Sequence, residues 1–197
     1  MAAPGRDSGR DAIAAIAVPR GAARRGVVRV SGAGAFEAVA ARSGDAVFAA
    51  RRAGRPTAVR ARWVLALSDA PQALARLAAA LGPAAEIDVD LWAFPAPRSY
   101  TGDDLVEVHA PGDPQTLDLI LRGLLAAGAR PAAAGEFTRR AAESGRLDLT
   151  RAEAVAALIR ARDDAERRRA LALLEGGLAR ETQAFVDRLV ALLAPLE

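Results

Sequence analysis

Several stretches of the chain alternate apolar and polar residues with a period of two, which is the pattern of a strand with one buried face. In residues 57–67 the polar positions are arginines, and in residues 87–94 they are aspartates. Residues 26–32 are rich in β-branched residues and carry one arginine, Arg29, at their centre. An arginine inside a short strand needs a carboxylate, a phosphate or water, so Arg29 is a candidate binding residue. Residues 11–18 form an apolar run that predicts a buried strand.

The stretch 97–109 joins a polar turn to a short alternating strand. Pro97 and Gly102 mark the turn, and the only tyrosine and the only histidine of the chain lie in this stretch. In the strand, Glu107 and His109 share one face and two valines share the other. Because a strand is a rigid place for a carboxylate, Glu107 is a second candidate binding residue. The alternative is an edge strand that carries a solvated glutamate.

Helical periodicity predicts the remaining elements. Residues 33–42 and 68–81 each predict a helix, and Asp113 followed by a proline predicts the start of another. From about residue 150 the pattern is helical throughout, and Thr150 to Glu153 has the spacing of a capping box.

The fold class predicted by this order of elements is α+β with a C-terminal all-helical segment. The predicted organisation is a disordered tail over residues 1–10, an α+β domain over residues 11–149 and the start of a helical domain over residues 150–197.

Composition narrows the possible chemistry. The chain has no cysteine and one histidine, which excludes disulfides and thiolate sites and disfavours metal sites rich in histidine. All 27 basic residues are arginines, and the net charge of +3 is compatible with RNA contact without being diagnostic of it. No apolar run approaches the roughly 20 residues of a membrane span, so a cytoplasmic protein without a membrane segment is expected.

Nucleotide-binding motifs are absent from the sequence. A phosphate-binding loop of the G-x-x-x-x-G-K-[ST] type requires a lysine, and the chain has none. The glycines at 32 and 34 lack the third glycine of a dinucleotide-binding loop. The chain alone is therefore not expected to hydrolyse a nucleotide through a P-loop, and whether it is an enzyme stays open.

Residues 11–17, 26–32, 98–109 and 135–159 are four segments that occur in the same order in one known family. Together they resemble the amino-terminal part of the MnmE (TrmE) family of tRNA modification GTPases. The resemblance extends from about Asp11 to the last residue. Each segment alone is a weak signal, but their combination is specific.

The resemblance implies a tetrahydrofolate-binding-type domain that forms homodimers, followed by the first helices of a helical domain. It further implies tRNA wobble-uridine modification with a flavin-dependent, MnmG-like partner, and methylene- or formyl-tetrahydrofolate as the one-carbon cofactor. In the family a GTPase domain supplies the sites for GTP, magnesium and potassium, and that domain is absent from this sequence. No metal site is expected within the sequence itself.

Carried over residue by residue, the implied folate contacts are Arg29, Glu107 and Arg146. Arg146 stands where the family usually has lysine, which keeps the charge but changes the geometry. Two other positions differ from the family. The turn expected at His109 to Asp113 contains Pro111, and Ala134 replaces a usual proline.

Two alternatives to an MnmE-like protein remain open at this point. The first is a non-catalytic module for folate binding and dimerisation. The second, which fits the motifs less well, is a small arginine-rich RNA-binding protein. The MnmE-like protein and the folate-binding module are both expected to bind folate. The RNA-binding protein is expected to show steeply salt-dependent tRNA binding instead.

Overall fold

The structure is a computed structural model of the chain. The residues it describes are 11–19, 21–66, 84–176, 182, 185–189 and 191. The chain divides into two compact units, with the boundary between Phe137 and Thr138. The predicted helix over residues 68–81 and the predicted tail over residues 1–10 lie outside the described residues.

The first unit contains a mixed sheet. The described part of the chain forms six strands in this sheet, β1 Ile13–Ile16, β2 Ala23–Ser31, β3 Thr57–Ala66, β4 Ala84–Phe94, β5 Leu105–Gly112 and β6 Arg130–Pro131. Their spatial order is β3-β4-β5-β2-β1-β6. Neighbouring strands are antiparallel except β1 and β6, which are parallel. Since β5 lies between β4 and β2, the edge-strand alternative for Glu107 is wrong.

One face of the sheet, which we call the core face, is apolar and packs against helices. Its fully buried side chains include Val28, Val106, Val108 and Leu91, which alternate with polar residues along their strands. The helices described in this unit are α1 Ala35–Ser43, α2 Ala49–Ala53 and α3 Pro114–Ala126, and a 3₁₀ turn, Asp45–Phe48, precedes α2. The alternation predicted in residues 57–67 and 87–94 is confirmed over the described residues 57–66 and 87–94, with Trp63, Leu65, Val89 and Leu91 buried.

Helix α3 begins where the sequence predicts. The Asp113 carboxylate accepts a hydrogen bond from the Thr116 backbone N–H at 2.8 Å, and Pro114 is the first helical residue. Proline is tolerated there because its missing N–H would have no partner inside the helix. Leu117, Ile120 and Leu124 carry the buried side of the helix.

The opposite face of the sheet, which we call the polar face, carries Arg29, Glu107, His109, Asp90 and Trp92. The strand register places Arg29 opposite Glu107, and Glu107 opposite Trp92. In the next row, His109 lies opposite Asp90. Because successive side chains of a strand point to opposite faces, burial of the valines on the core face leaves these residues on the polar face.

The second unit is helical where it is described. The helix α4, Glu136–Glu143, spans the unit boundary and is followed by α5, Leu149–Arg160, and α6, Asp164–Leu174. The capping box predicted at Thr150 is wrong, because the Asp148 carboxylate caps α5 by accepting from the Arg151 N–H at 2.7 Å. The α+β prediction and the helical C-terminal segment are both confirmed.

Within the described residues, every helix is too short or too polar to cross a bilayer.

Candidate functional site

An ion pair between neighbouring strands lies at the centre of the polar face. Arg29 donates to Glu107 Oε1 from Nε at 3.0 Å and from Nη2 at 2.7 Å. The two side chains are 28% and 19% exposed, so the pair is partly shielded from water. Charge-assisted bonds of this kind are roughly twice as strong as neutral ones. The structure thus brings together two of the three residues predicted from the sequence.

The second oxygen of Glu107 has a different neighbour. Both bonds from Arg29 end on Oε1, whereas Oε2 lies 3.3 Å from His109 Nε2. The His109 ring in turn lies beside Trp92, with ring centroids 5.2 Å apart. A carboxylate has about four acceptor sites, so Glu107 can still accept a further donor from a ligand.

Two aromatic rings lie beside the Arg29 guanidinium. Its central carbon is 5.8 Å from the Tyr100 ring centroid and 5.5 Å from that of Phe137. At such distances a cation is attracted to the ring face. The ion pair and the two rings together restrict the guanidinium to one position on the polar face.

The loop that carries Tyr100 is tied to the sheet by hydrogen bonds. Ser31 and Thr101 share a buried hydroxyl contact of 2.7 Å, and the Ser31 hydroxyl donates to the Asp104 carbonyl at 3.0 Å. At the other side, Arg51 donates to the Asp104 carboxylate at 2.6 Å. The loop is therefore anchored both to β2 and to α2.

A separate network orients the start of α4, where Phe137 lies. The Glu136 carboxylate is 2% exposed and accepts from Arg130 at 2.6 and 2.9 Å and from the Ala133 N–H at 2.9 Å. The pKa of Arg130 is raised, mainly by its hydrogen bonds to Glu136 and to a smaller extent by its hydrogen bond to Asp11. The buried carboxylate is thus fully compensated, and it fixes the position of the residue that follows it.

The third predicted residue, Arg146, belongs to the second unit. It lies in the turn between α4 and α5, where its backbone N–H donates to the Ala141 carbonyl at 2.8 Å. Its side chain is exposed. A role for Arg146 together with Arg29 and Glu107 stays a prediction.

Sequence reasoning missed part of the site and misplaced one turn. It did not connect Phe137 with Arg29, although Phe137 lies in one of the segments that carry the family resemblance. The expected turn at residues 109–113 is wrong, because β5 continues to Gly112 and the exposed Pro111 lies within it. Nearby, β2 has an irregular register between Ala23 and Gly26, which accommodates the end of β5.

Across the described part of the chain, histidine, aspartate and glutamate side chains form no group of three or more that would hold a metal ion.

Comparison with known proteins agrees with this architecture. Residues 12–146 match the family model described as "GTP-binding protein TrmE N-terminus". The chain belongs to this family, and the resemblance predicted from the four segments is confirmed.

The similar relatives are much longer than this chain. It is 43% identical over 188 residues to a tRNA modification GTPase MnmE of Thermus thermophilus, covering 95% of the chain and 40% of that relative. It is 41% identical over 191 residues to the protein of the same name from Halorhodospira halophila, covering 97% of the chain and 36% of that relative. The chain therefore spans about two fifths of their length.

Proposed function

We propose that the first unit binds a reduced folate, methylene- or formyl-tetrahydrofolate, on its polar face. In this proposal Glu107 accepts N–H donors from the pterin ring, and Arg29 holds the carboxylate in place. The observation that carries the proposal is the Arg29–Glu107 pair, in which both arginine bonds go to one oxygen of Glu107. The other oxygen keeps capacity for a ligand donor.

The surroundings of the pair favour a planar ligand with hydrogen-bond donors along one edge. Tyr100, Phe137 and Trp92 provide aromatic rings within the same region, and Tyr100 and Trp92 are 37% and 45% exposed. Aromatic side chains combine apolar contact area with low conformational freedom, which suits stacking with a ring system. Arg146 is proposed as a further folate contact, where it would attract an anionic part of the ligand.

For the whole protein we propose a role in tRNA wobble-uridine modification, because the similar relatives are named tRNA modification GTPases. Residues 11–149 would form the folate-binding, dimerising domain, and residues 150–197 the start of a helical domain. A flavin-dependent MnmG-like protein and tRNA are the proposed partners, in the cytoplasm. GTP, magnesium and potassium would bind only to a GTPase domain outside this sequence. Mass spectrometry of tRNA from cells with and without the gene tests this role; unchanged wobble uridines would contradict it.

Titration calorimetry with formyl-tetrahydrofolate tests the folate proposal directly. Glu107→Gln keeps the shape of the side chain but removes the charge, and Arg29→Gln removes the residue that orients it. Since a hydrogen bond to a charged group contributes about 1.5–3 kcal/mol, we expect each variant to bind roughly 10- to 100-fold more weakly.

The matched control is Glu86→Gln. Glu86 lies on the same sheet and pairs with Arg62 at 3.3 Å, but it is 55% exposed and lies away from the Arg29–Glu107 pair. We expect folate binding by this variant to equal that of the wild type. Absence of binding by the folded wild type would overturn the ligand, and unchanged binding by Glu107→Gln would overturn the site.

A further inference from the structure

A polar cleft lies next to the proposed pterin site, one row further along the polar face. It has a volume of about 370 Å³. The charged and titratable side chains that line it are Arg24, Arg25, Arg60, Asp88, Asp90 and His109. Three arginines against two aspartates give the lining a net positive charge, which favours an anionic ligand.

Two of the arginines are held by one carboxylate. Asp90 accepts a hydrogen bond from Arg25 Nη2, and Arg60 Nε lies 3.5 Å from its other oxygen. The hydrogen bond from Arg25 keeps the pKa of Asp90 below its usual range, so the carboxylate stays ionised. A guanidinium has five N–H donors. Asp90 therefore orients both groups while leaving most of their donors for another acceptor.

The cleft is continuous with the Arg29–Glu107 pair through His109. His109 Nε2 lies 3.3 Å from Glu107 Oε2, and the same side chain lines the cleft. From Glu107 to Pro111, which also lines the cleft, β5 advances by roughly 13 Å at the usual rise per residue. A ligand that is held at Glu107 by one end and extends along β5 would place its other end among the arginines.

A folate has this distribution of chemistry, with N–H donors on the pterin and carboxylates on the glutamyl tail. We propose that the cleft binds the γ-linked glutamyl tail, so that the protein prefers polyglutamylated folates over the monoglutamate. This inference rests on the proposed folate function. The tail carboxylates accept from Arg24, Arg25 and Arg60, and the amide N–H groups of the γ-linked chain donate to Asp88.

An RNA backbone fits the same cleft less well. Phosphates are strong acceptors and match the arginines, but a phosphodiester backbone has no N–H donor for the Asp88 and Asp90 carboxylates of the same lining. A glutamyl chain alternates carboxylates with amide donors, and the lining alternates arginines with aspartates. The two charge patterns are therefore complementary.

The test compares the affinity of the protein for mono- and pentaglutamate forms of formyl-tetrahydrofolate by titration calorimetry. We expect the wild type to bind the pentaglutamate at least 10-fold more tightly. The double variant Arg24→Gln/Arg60→Gln should lose this preference to within threefold, because its affinity for the pentaglutamate falls further than its affinity for the monoglutamate, which offers only one glutamate to the cleft. Both arginines are exposed, and circular dichroism confirms that the variant is folded.

The matched control is Arg62→Gln, which changes an arginine on the same strand as Arg60 but outside the cleft lining. It should keep the full pentaglutamate preference. Equal affinity of the wild type for both folates would overturn the inference and leave the folate proposal standing. Absence of binding to either folate would overturn both. If the double variant keeps the preference but loses salt-dependent tRNA binding, the cleft binds RNA and the inference is wrong.

Discussion

The two faces of the sheet are built from alternate residues of the same strands, yet their side chains differ in burial and in chemistry. On the core face, Val28 and Val108 are fully buried against helices. On the polar face, one residue further along each strand, Arg29 and His109 remain partly accessible and contact Glu107. The difference separates the residues that stabilise the sheet from those proposed to bind a ligand. The apolar face sets the strand positions, and each candidate binding residue takes its position from the buried neighbours on either side.

The strongest test of this division compares two adjacent residues of β4. Leu91 is fully buried on the core face, whereas Trp92 is 45% exposed on the polar face. Leu91→Ala should lower the free energy of unfolding by about 2–5 kcal/mol, because it leaves a cavity in the core. Trp92→Ala should cost no more than about 1.5 kcal/mol, mainly through its contact with His109. Urea denaturation measures both, and equal costs would refute the division.

The second test concerns the close approach of β5 and the irregular part of β2. A Cβ at Gly112 would overlap the backbone carbonyl of Ala23, whereas a Cβ at Gly26 would meet the movable end of the Leu117 side chain. Gly112→Ala should therefore destabilise the fold by about 1–3 kcal/mol, and Gly26→Ala by less. Thermal unfolding of both variants checks the order, and the reverse order would contradict it.

The third test asks how much the polar face itself contributes to stability. A double-mutant cycle with Arg29→Gln and Glu107→Gln should give a coupling energy of about 0.5–3 kcal/mol, because the pair is only partly exposed. The same cycle on Arg62 and Glu86, which are 77% and 55% exposed, should give less than about 1 kcal/mol. If the two couplings are equal, the shielding of the first pair has no energetic effect.

The smallest expected effect is a dependence of stability on pH at Asp90. The pKa of this carboxyl is lowered in the folded protein, mainly by the hydrogen bond from Arg25. Its contribution to stability is therefore present above the ordinary carboxyl pKa of about 3.9 and is lost as the pH falls through the folded value. Asp90→Asn should cost up to about 1 kcal/mol at pH 7, and this cost should shrink as the pH falls below about 3.9. Urea denaturation over this pH range measures the change, and a cost that does not depend on pH would show that the charge is not its cause.

Local signals predicted much of the fold. The two alternating stretches, in residues 57–67 and 87–94, and the Asp113 cap each depend on neighbouring residues alone. These three features were predicted correctly where the structure describes them. The two-residue strand β6 was missed, because its pairing with β1 depends on residues more than 100 positions away. The start of α5 was misplaced because Asp148 and Thr150 are both good capping residues, and local sequence does not decide between them.

The site was harder to predict than the strands that carry it. Periodicity alone places Arg29 and Glu107 within strands, but their contact depends on a register between residues 78 positions apart. The family resemblance supplied that pairing. The contact between Arg29 and Phe137 depends on how the chain returns to the sheet after α3, for which the sequence contains no local signal.

The direct opposition of Arg29 and Glu107 also bears on how the chain folds. A slip of one residue between β2 and β5 would turn the side chains of one strand to the other face and bury a charge among the aliphatic residues there. Burying an unpaired charge costs far more than the pair contributes in its native place. The two residues therefore discriminate against misaligned strands while the sheet assembles, and a substitution that removes both charges removes a barrier to mispairing even if the folded protein keeps its stability.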